Sequence, residues 1–463
     1  MSKFSIHFNI SERKILLRIF DLLFVLLLLY GVGNAFAFDY FAITKENWKW
    51  QLVLAIYLSV FGTIFELYDL QVSSKYEKIW INILFTSSTT VLFYLLTPFF
   101  TPVLPENRLQ ILFFFLSILI ALLAWRFAYI TFVTSPRFFR KVLLVGEISN
   151  IKSILETLEG ADPNYKITGF INCEINKKDK IKFKGLKEYH QREIYDVIKD
   201  KGISEILIAT YNPENITSNL YKDLITLLEG GVSIKEYTQV YEELTQRVPV
   251  QFVGKDFYKY FPFSRSNQNK MYLLFSRILD VLVAVIGVLI GVFLLPIVLI
   301  GNAVANKGPL FYSQERIGKN GELFKILKFR TMVTDAEKNG AVWAKKNDTR
   351  VTPFGKFLRN ARIDEIPQFL NVFKGEMSLI GPRPERPHFV RELSQILPFY
   401  ETRHIIKPGL TGWAQVKARY GATVDESMLK LQYDLYYIKN RSFVLDVNIL
   451  IKTLSTVIYF RGQ

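Results

Sequence analysis

The sequence predicts a membrane α plus α/β protein, and three observations carry that prediction. Four apolar segments of near-spanning length open the chain. From Lys141 onward, short apolar strands alternate with helical stretches of mixed charge. A basic, motif-dense region then follows a further apolar stretch, Val281–Ile300. Bulk composition agrees. Half of the 463 residues are hydrophobic, with 39 Phe and 24 Tyr, and mean hydropathy is positive. A water-soluble protein of this length rarely needs so many aromatics, which places part of the chain in lipid.

The four opening segments are roughly Ile15–Phe38, Leu52–Tyr68, Ile79–Phe100 and Leu109–Val133. Each is near the ~20 residues that cross a bilayer as a helix. The first is too long and too heavily flanked for a signal peptide. Arg13, Lys14 and Arg18 lie at its start, and Arg126, Arg137, Arg140 and Lys141 cluster at and after the fourth, while the links Asp39–Trp50 and Thr101–Arg108 are less basic. The positive-inside rule then puts the N-terminus and Arg137 in the cytoplasm, as an even number of crossings also requires. Residues 1–136 form this transmembrane domain.

Lys141–Gly146, Ile167–Asn172, Glu205–Ala209 and Val232–Tyr237 read as strands separated by helices, the pattern of a parallel α/β domain spanning 137–262. A dinucleotide site would place G-x-G-x-x-G after the first strand, but here the loop is Gly146-Glu-Ile-Ser-Asn150, with one glycine. A degenerate Rossmann-like scaffold is therefore favoured over a nucleotide site. Tyr195 and Lys199 have the spacing of a dehydratase Tyr-x-x-x-Lys pair, but without the glycine loop the match reads as chance.

A linker with Pro262 and Ser264–Asn269 leads into the third domain, 270–463. Val281–Ile300 carries no charge and contains Pro296. It is long enough to span, yet a proline inside a helix removes a backbone hydrogen bond and kinks it. A full crossing and a turn back at Pro296 both stay open at this point.

Charge and side-chain inventory narrow the chemistry. The net charge is +16, and between Lys307 and Arg419 there are 21 Lys and Arg against 11 Asp and Glu. That excess suits anionic lipid or phosphates, and no nucleic-acid motif accompanies it. The single cysteine, Cys173, excludes an intramolecular disulfide and a cysteine-cluster metal site. The four histidines, His7, His190, His388 and His404, are not at zinc-ligand spacing.

Five motifs fall in order in the basic region: Gly308-Pro-Leu-Phe-Tyr-Ser-Gln-Glu-Arg316-Ile-Gly318, Lys328-Phe-Arg-Thr-Met332, Arg359-Asn-Ala-Arg-Ile-Asp-Glu-Ile-Pro-Gln368, Ser378-Leu-Ile-Gly-Pro-Arg-Pro-Glu385 and Lys407-Pro-Gly-Leu-Thr-Gly-Trp413. The apolar spacing of Phe354, Phe357, Leu358, Ile363, Ile366, Phe369 and Leu370 predicts a helix carrying Asp364 and Glu365. Chemistry at a pyrophosphate calls for a carboxylate nucleophile or metal ligand, with cations to hold phosphoryl oxygens. Both occur here, although a solvated charged turn has the same composition. Two prolines pin the backbone around Arg383, so a rigid loop presents a guanidinium suited to phosphate. Lys328 and Arg330 alternate with Phe329 in a strand-like run, which puts both cations on one face. Pro408–Gly412 reads as a turn before a buried Trp413.

These motifs, in this order, closely resemble the monotopic phosphoglycosyl transferases, and the whole architecture resembles their large subfamily. That resemblance implies four transmembrane helices, a degenerate Rossmann-like α/β domain and a mainly helical monotopic catalytic domain with a re-entrant membrane helix at about 275–302, broken at Pro296. Some members of that family carry a polar residue before that proline, where this chain has Leu295. The resemblance implies transfer of a sugar-1-phosphate from a UDP-sugar to undecaprenyl (polyprenyl) phosphate, with release of UMP, as the start of exopolysaccharide, capsule or O-antigen synthesis. Asp364 matches the nucleophile that forms a phosphosugar-aspartate, and Glu365 its acid partner. Mg2+ would bind through Asp364 and phosphate oxygens. Arg359 and Arg383, and more weakly Lys328 and Arg330, match phosphate-contacting positions. It also implies a multi-pass protein of the bacterial inner membrane, its catalytic domain on the cytoplasmic face, in contact with membrane lipid and plausible as a homodimer. The tail Phe443–Phe460 is expected at the membrane surface or packed in the core.

Overall fold

The computed structural model describes residues 10–41, 47–74, 76–133, 138–148, 151–173, 186–210, 213–252, 269–306, 308–336, 348–418 and 423–458. The chain divides into two compact units, Met1–Thr245 and Gln246–Gln463. The linker around Pro262 lies outside the described residues.

The first unit opens with helices α1 (Ile10–Phe36), α2 (Trp48–Ile64), the single turn α3 (Leu70–Ser73), α4 (Tyr76–Leu96) and α5 (Leu109–Ala128), the last continued by a wider π-helical turn, Tyr129–Val133. Their shared core includes Leu17, Val25, Leu58, Ile83, Phe114, Ile118 and Leu122. Ile10–Phe36, Ile79–Leu96 and Leu109–Val133 are long and apolar enough to cross a membrane, while Trp48–Ile64 is shorter. Two arginines that read as flanking charges are instead buried. Arg126 pairs with Asp21 of α1 at 2.9 Å and donates to the Leu67 carbonyl. Arg13 pairs with Asp162 of the α/β domain. A charge this deep persists only when paired, so Arg126 ties α5 to α1 and Arg13 ties α1 to Asp162, just past the Ile151–Ala161 helix of the α/β domain.

The α/β domain holds a five-stranded, all-parallel sheet in the order β3-β2-β1-β4-β5, the order of doubly wound folds. The strands are β1 (Arg140–Gly146), β2 (Tyr165–Asn172), β3 (Lys187–Tyr189), β4 (Glu205–Ala209) and β5 (Ser233–Glu236), with helices α6 (Ile151–Ala161), α7 (Ile194–Lys201), α8 (Ser218–Glu229) and α9 (Tyr237–Thr245). Val142–Val145 are buried in an unbroken run, as a central parallel strand requires. Gly146 meets a steric demand. A Cβ there would strike the Ala209 carbonyl of β4. Beyond it, the Glu147 carboxylate accepts from Thr210 Oγ1 (3.0 Å) and Asn215 Nδ2 (2.9 Å). It therefore occupies the carboxyl ends of β1 and β4, where such sheets bind ligands.

The second unit begins its described helices with α10 (Lys270–Ala305), which contains Pro296 and is continuous across it. Among the described residues it is the fourth helix long and apolar enough to cross a membrane. Then come an antiparallel hairpin, β6 (Phe311–Ile317) and β7 (Leu323–Phe329), helix α11 (Pro353–Asn360), a 3-10 helix at Ile363–Gln368, α12 (Phe369–Lys374) and strand β8 (Ser378–Ile380). Helix α13 (Pro387–Ile396), a 3-10 helix at Tyr400–Ile405, β9 (Gly409–Thr411, parallel to β8), α14 (Trp413–Lys417), α15 (Val424–Asn440) and α16 (Phe443–Ile458) complete it. Trp413, Leu431, Leu435, Ile438 and Ile449 anchor the core. The tail helix buries Ile449 and fixes Asp446 to Tyr272 and Tyr437, while Phe443, Val444 and Leu454 stay exposed.

Candidate active site

The single helix predicted through Asp364 is in fact three pieces. Thr352 caps α11, its side chain accepting from the Gly355 amide, and Pro353 sits in the first turn. The helix stops where Arg362 takes the left-handed conformation, φ 53°. The 3-10 turn Ile363–Gln368 starts there. In a 3-10 helix successive side chains stand about 120° apart, so Asp364 and Glu365 face different surroundings. The apolar side chains cross the break without losing their common face. Phe354, Leu358, Ile363 and Ile366 gather around Val298 and Phe329. Phe357 and Phe373, on other faces, are half exposed.

Glu365 is ringed by three cations. Lys328 Nζ of β7 donates to its Oε1 at 3.0 Å, Arg362 to its Oε2 at 3.4 Å and Arg383 to its Oε1 at 3.4 Å. Burial alone would raise this carboxyl, but Lys328, Arg383 and Arg362 together hold it well below the usual carboxylate range. Asp364 is also buried, and among the described residues it accepts no hydrogen bond. Burial pushes its carboxyl above the usual range, with Lys328, Arg359 and Arg383 opposing and the charge of Glu365 adding to the rise. One acid is thus a fixed anion that gathers cations, and the other is an unbonded carboxyl with altered basicity. This contrast marks functional sites more often than structural ion pairs.

Arg359 lies in the last turn of α11, where its Nε donates to Thr331 Oγ1 at 2.8 Å. Its two terminal nitrogens make no hydrogen bond among the described residues. Arg383 stands between Pro382 and Pro384 and reaches Glu365. Arg330 goes elsewhere. It follows the end of β7, is 7% exposed, and its guanidinium donates to the carbonyls of Asn306, Pro309 and Met332. The structure therefore brings Lys328, Arg383 and the acid pair together, with Arg359 contributing charge at Asp364, but it does not bring Arg330 to either carboxylate.

Several residues escape sequence reasoning. Asp280 of α10 accepts from Ser378 Oγ (3.1 Å) and the Leu379 amide (2.7 Å), tying that helix to β8. A lone acid at the edge of an apolar run was its only signal. Gln368 is buried, and among the described residues its Nε2 has no partner. In the α/β domain, Tyr195 donates to Asp223 at 3.2 Å, a local surface contact. Among the described residues, no group of three or more His, Cys, Asp or Glu side chains could hold a metal by itself.

Comparison with known proteins places this site in a family. The bacterial sugar transferase family matches residues 271–460. The Bacillus subtilis sugar transferase EpsL, named as uncharacterized, is 39% identical over 158 residues, which is 33% of this chain and 72% of that one. The UDP-N-acetylgalactosamine-undecaprenyl-phosphate N-acetylgalactosaminephosphotransferase of Aeromonas hydrophila is 36% identical over 254 residues, 55% of this chain and 59% of that one. A UDP-glucose:undecaprenyl-phosphate glucose-1-phosphate transferase of Xanthomonas campestris is 38% identical over 196 residues, covering 42% of this chain and 40% of that one. The chain thus spans about half the length of these last two. The matched stretch carries the acid pair, its cations and the Pro-Arg-Pro loop, and this chain belongs to the bacterial sugar transferase family.

Proposed function

We propose that this protein transfers a sugar-1-phosphate from a UDP-sugar to undecaprenyl phosphate through a covalent intermediate on Asp364. The observation that carries the reading is the buried, unbonded Asp364 carboxylate beside a Glu365 already neutralised by Lys328, Arg362 and Arg383. An Asp364 oxygen attacks the β-phosphorus of the UDP-sugar. The bond to the bridging oxygen breaks and UMP leaves with that oxygen. An oxygen of undecaprenyl phosphate then attacks the same phosphorus, and the bond to Asp364 breaks. The products are the polyprenyl-diphosphate-sugar and the regenerated carboxylate, with charge conserved in both steps.

The protein's part is to position and to neutralise. Arg383 and the free nitrogens of Arg359 offer planar donors to phosphoryl oxygens. Glu365 holds Lys328 and Arg383 in place beside the reacting group. A hard divalent cation such as Mg2+ takes one or two carboxylates plus phosphate oxygens, and Asp364, with no hydrogen bond to give up, suits that role. The names of the Aeromonas and Xanthomonas relatives carry undecaprenyl phosphate and two different UDP-sugars. The lipid product would begin a surface polysaccharide.

The membrane placement belongs to the same proposal. Arg277, near the start of α10, donates to the Val372 and Phe373 carbonyls at 2.8 Å. Asn306, just past its end, donates to the Arg330 carbonyl at 2.7 Å. Both ends bond to one unit, which supports a re-entrant placement on the cytoplasmic face; the helix runs unbroken through the exposed Pro296, and that placement requires it to bend there in lipid. Protease added to inside-out vesicles should cut the second unit, and cutting only in right-side-out vesicles would overturn this placement.

The reaction is tested by UMP release from a panel of UDP-sugars that includes UDP-glucose and UDP-N-acetylgalactosamine, with undecaprenyl phosphate and Mg2+. Wild type should release UMP with at least one donor and Asp364→Asn with none. Equal release by the variant would remove Asp364 as nucleophile.

A further inference from the structure

We infer that Arg403 is a positioning residue, acting through the backbone of Arg383 to aim that side chain at the reacting phosphate. The inference rests on the reading of Arg383 as a phosphate contact. Its basis is the treatment of one loop, Pro382–Glu385, in which four consecutive carbonyls each have a donor. Gly409 N donates to Pro382 O at 2.9 Å, and Ile317 N to Glu385 O at 3.0 Å. Between them, two guanidinium groups take the remaining pair. Arg403 Nη2 donates to Arg383 O at 3.2 Å and Arg316 Nη1 to Pro384 O at 3.0 Å.

The local sequence explains why side chains are needed. Proline has no N–H, so Pro382 and Pro384 cannot donate to a neighbouring backbone. Their rings fix φ at both positions, and Arg383, as a residue before proline, is confined to extended conformations. What stays variable is the rotation of the Arg383–Pro384 peptide plane, and the direction of the Arg383 carbonyl reports that rotation. Arg403 bonds that carbonyl. The same backbone setting determines where the Arg383 side chain starts, and it ends 3.4 Å from Glu365.

Arg403 is itself immobilised. It is 5% exposed, Nη1 donates to Tyr400 Oη at 2.7 Å, and Nη2 also donates to Asp434 Oδ2 at 2.7 Å. Asp434, on α15, is 1% exposed. The guanidinium lies over the Tyr400 ring, 5.1 Å from its centroid. One cation thus joins the 3-10 turn Tyr400–Ile405 and helix α15 to the phosphate loop, with its charge balanced by Asp434 so that its donors are held in a fixed fork. Nothing here touches substrate, so Arg403 is not catalytic in its own right.

A plain core ion pair between Arg403 and Asp434 would also explain the burial, and removing it would also lower stability. The two roles separate in a double-mutant cycle, because a residue acting through Arg383 has no effect once Arg383 is gone. The full chain in nanodiscs would be prepared as wild type, Arg403→Lys, Arg383→Ala and the double variant. Two quantities would be measured: affinity for inorganic pyrophosphate, and kcat/KM for UMP release. Lysine keeps the charge beside Asp434 but lacks the fork. It should weaken pyrophosphate binding about tenfold in the wild-type background and leave Arg383→Ala unchanged. Tyr400→Phe, which removes only the hydroxyl that accepts from Nη1, is the milder variant. It should show the same non-additivity at about threefold should Arg403→Lys fail to fold. The same factor in both backgrounds, or no loss at all, would reduce Arg403 to a structural ion pair. Wild type that binds no pyrophosphate would also overturn the inference. A non-additive pyrophosphate cycle in a protein that releases UMP from no donor would leave the inference standing and sink the proposed reaction instead.

Discussion

Lys328 Nζ lies 3.0 Å from Glu365 Oε1 and makes no hydrogen bond to the adjacent carboxylate, Asp364. One strand residue thereby sorts two neighbouring acids. Glu365 is held charged against burial, and Asp364 is left raised and unbonded.

The two acids should fail differently. Asp364→Asn removes the proposed attacking oxygen and should reduce UMP release by at least about 1000-fold, with the thermal midpoint kept. Glu365→Gln leaves Lys328, Arg362 and Arg383 without their shared anion. It should reduce kcat/KM by about 100-fold and also lower the midpoint. Steady-state UMP release and thermal unfolding in the same detergent read both.

A nucleophilic carboxylate works only when ionised. Because burial raises Asp364, kcat/KM should fall as pH drops through that raised pKa, so the acid limb should lie above the ~3.9 of an ordinary aspartate. Lys328 opposes the rise. Lys328→Met should therefore move the limb to higher pH as well as slowing the reaction. An unshifted limb in that variant would detach Lys328 from the titration.

Arg359 and Arg330 should separate cleanly. Arg359→Ala removes terminal nitrogens that make no hydrogen bond among the described residues, and should lower kcat/KM by about 100-fold with little change in stability. Arg330→Ala strands the carbonyls of Asn306, Pro309 and Met332 and leaves a cavity, which should destabilise the protein by about 3 kcal/mol. Midpoints compared with KM for the UDP-sugar distinguish them.

Helix α10 depends on small residues where it meets the rest of its unit. A Cβ at Gly287 would run into the Phe369 ring, and one at Gly301 into Phe354. Gly287→Leu should cost about 1–3 kcal/mol through overpacking, whereas Leu289→Ile, on an exposed face, should leave the midpoint in nanodiscs unchanged.

Much of the organisation was legible because it rests on local pattern. The four long helices that open the chain fall within a few residues of the apolar runs, and β1, β2, β4 and β5 follow the predicted strands. β3 was missed because only Tyr189 of its three residues is buried. The acid pair was legible as a motif, but its setting was not. The apolar periodicity from Phe354 to Ile366 runs straight through the break at Arg362, because side chains on both sides seek the same core. A positive φ on an arginine has no local signature, and the ion pair with Glu365 accompanies it only in the folded unit. Arg13 and Arg126 read as flanking charges because their partners, Asp162 and Asp21, lie 149 and 105 residues away in the chain. Arg330 looked like a companion of Lys328 on one strand face, yet β7 ends at Phe329 and the alternation ends with it.

Phe354 and Phe369 bracket Asp364 in sequence, and both press on the apolar helix α10, at Gly301 and Gly287. The segment carrying Asp364 is therefore held to that helix at two points, one on each side of the carboxyl. On the proposed placement of α10 at the lipid surface, the contact works as a depth gauge, and bilayer thickness becomes a control variable for the height at which a donor from water and an acceptor from lipid meet one atom.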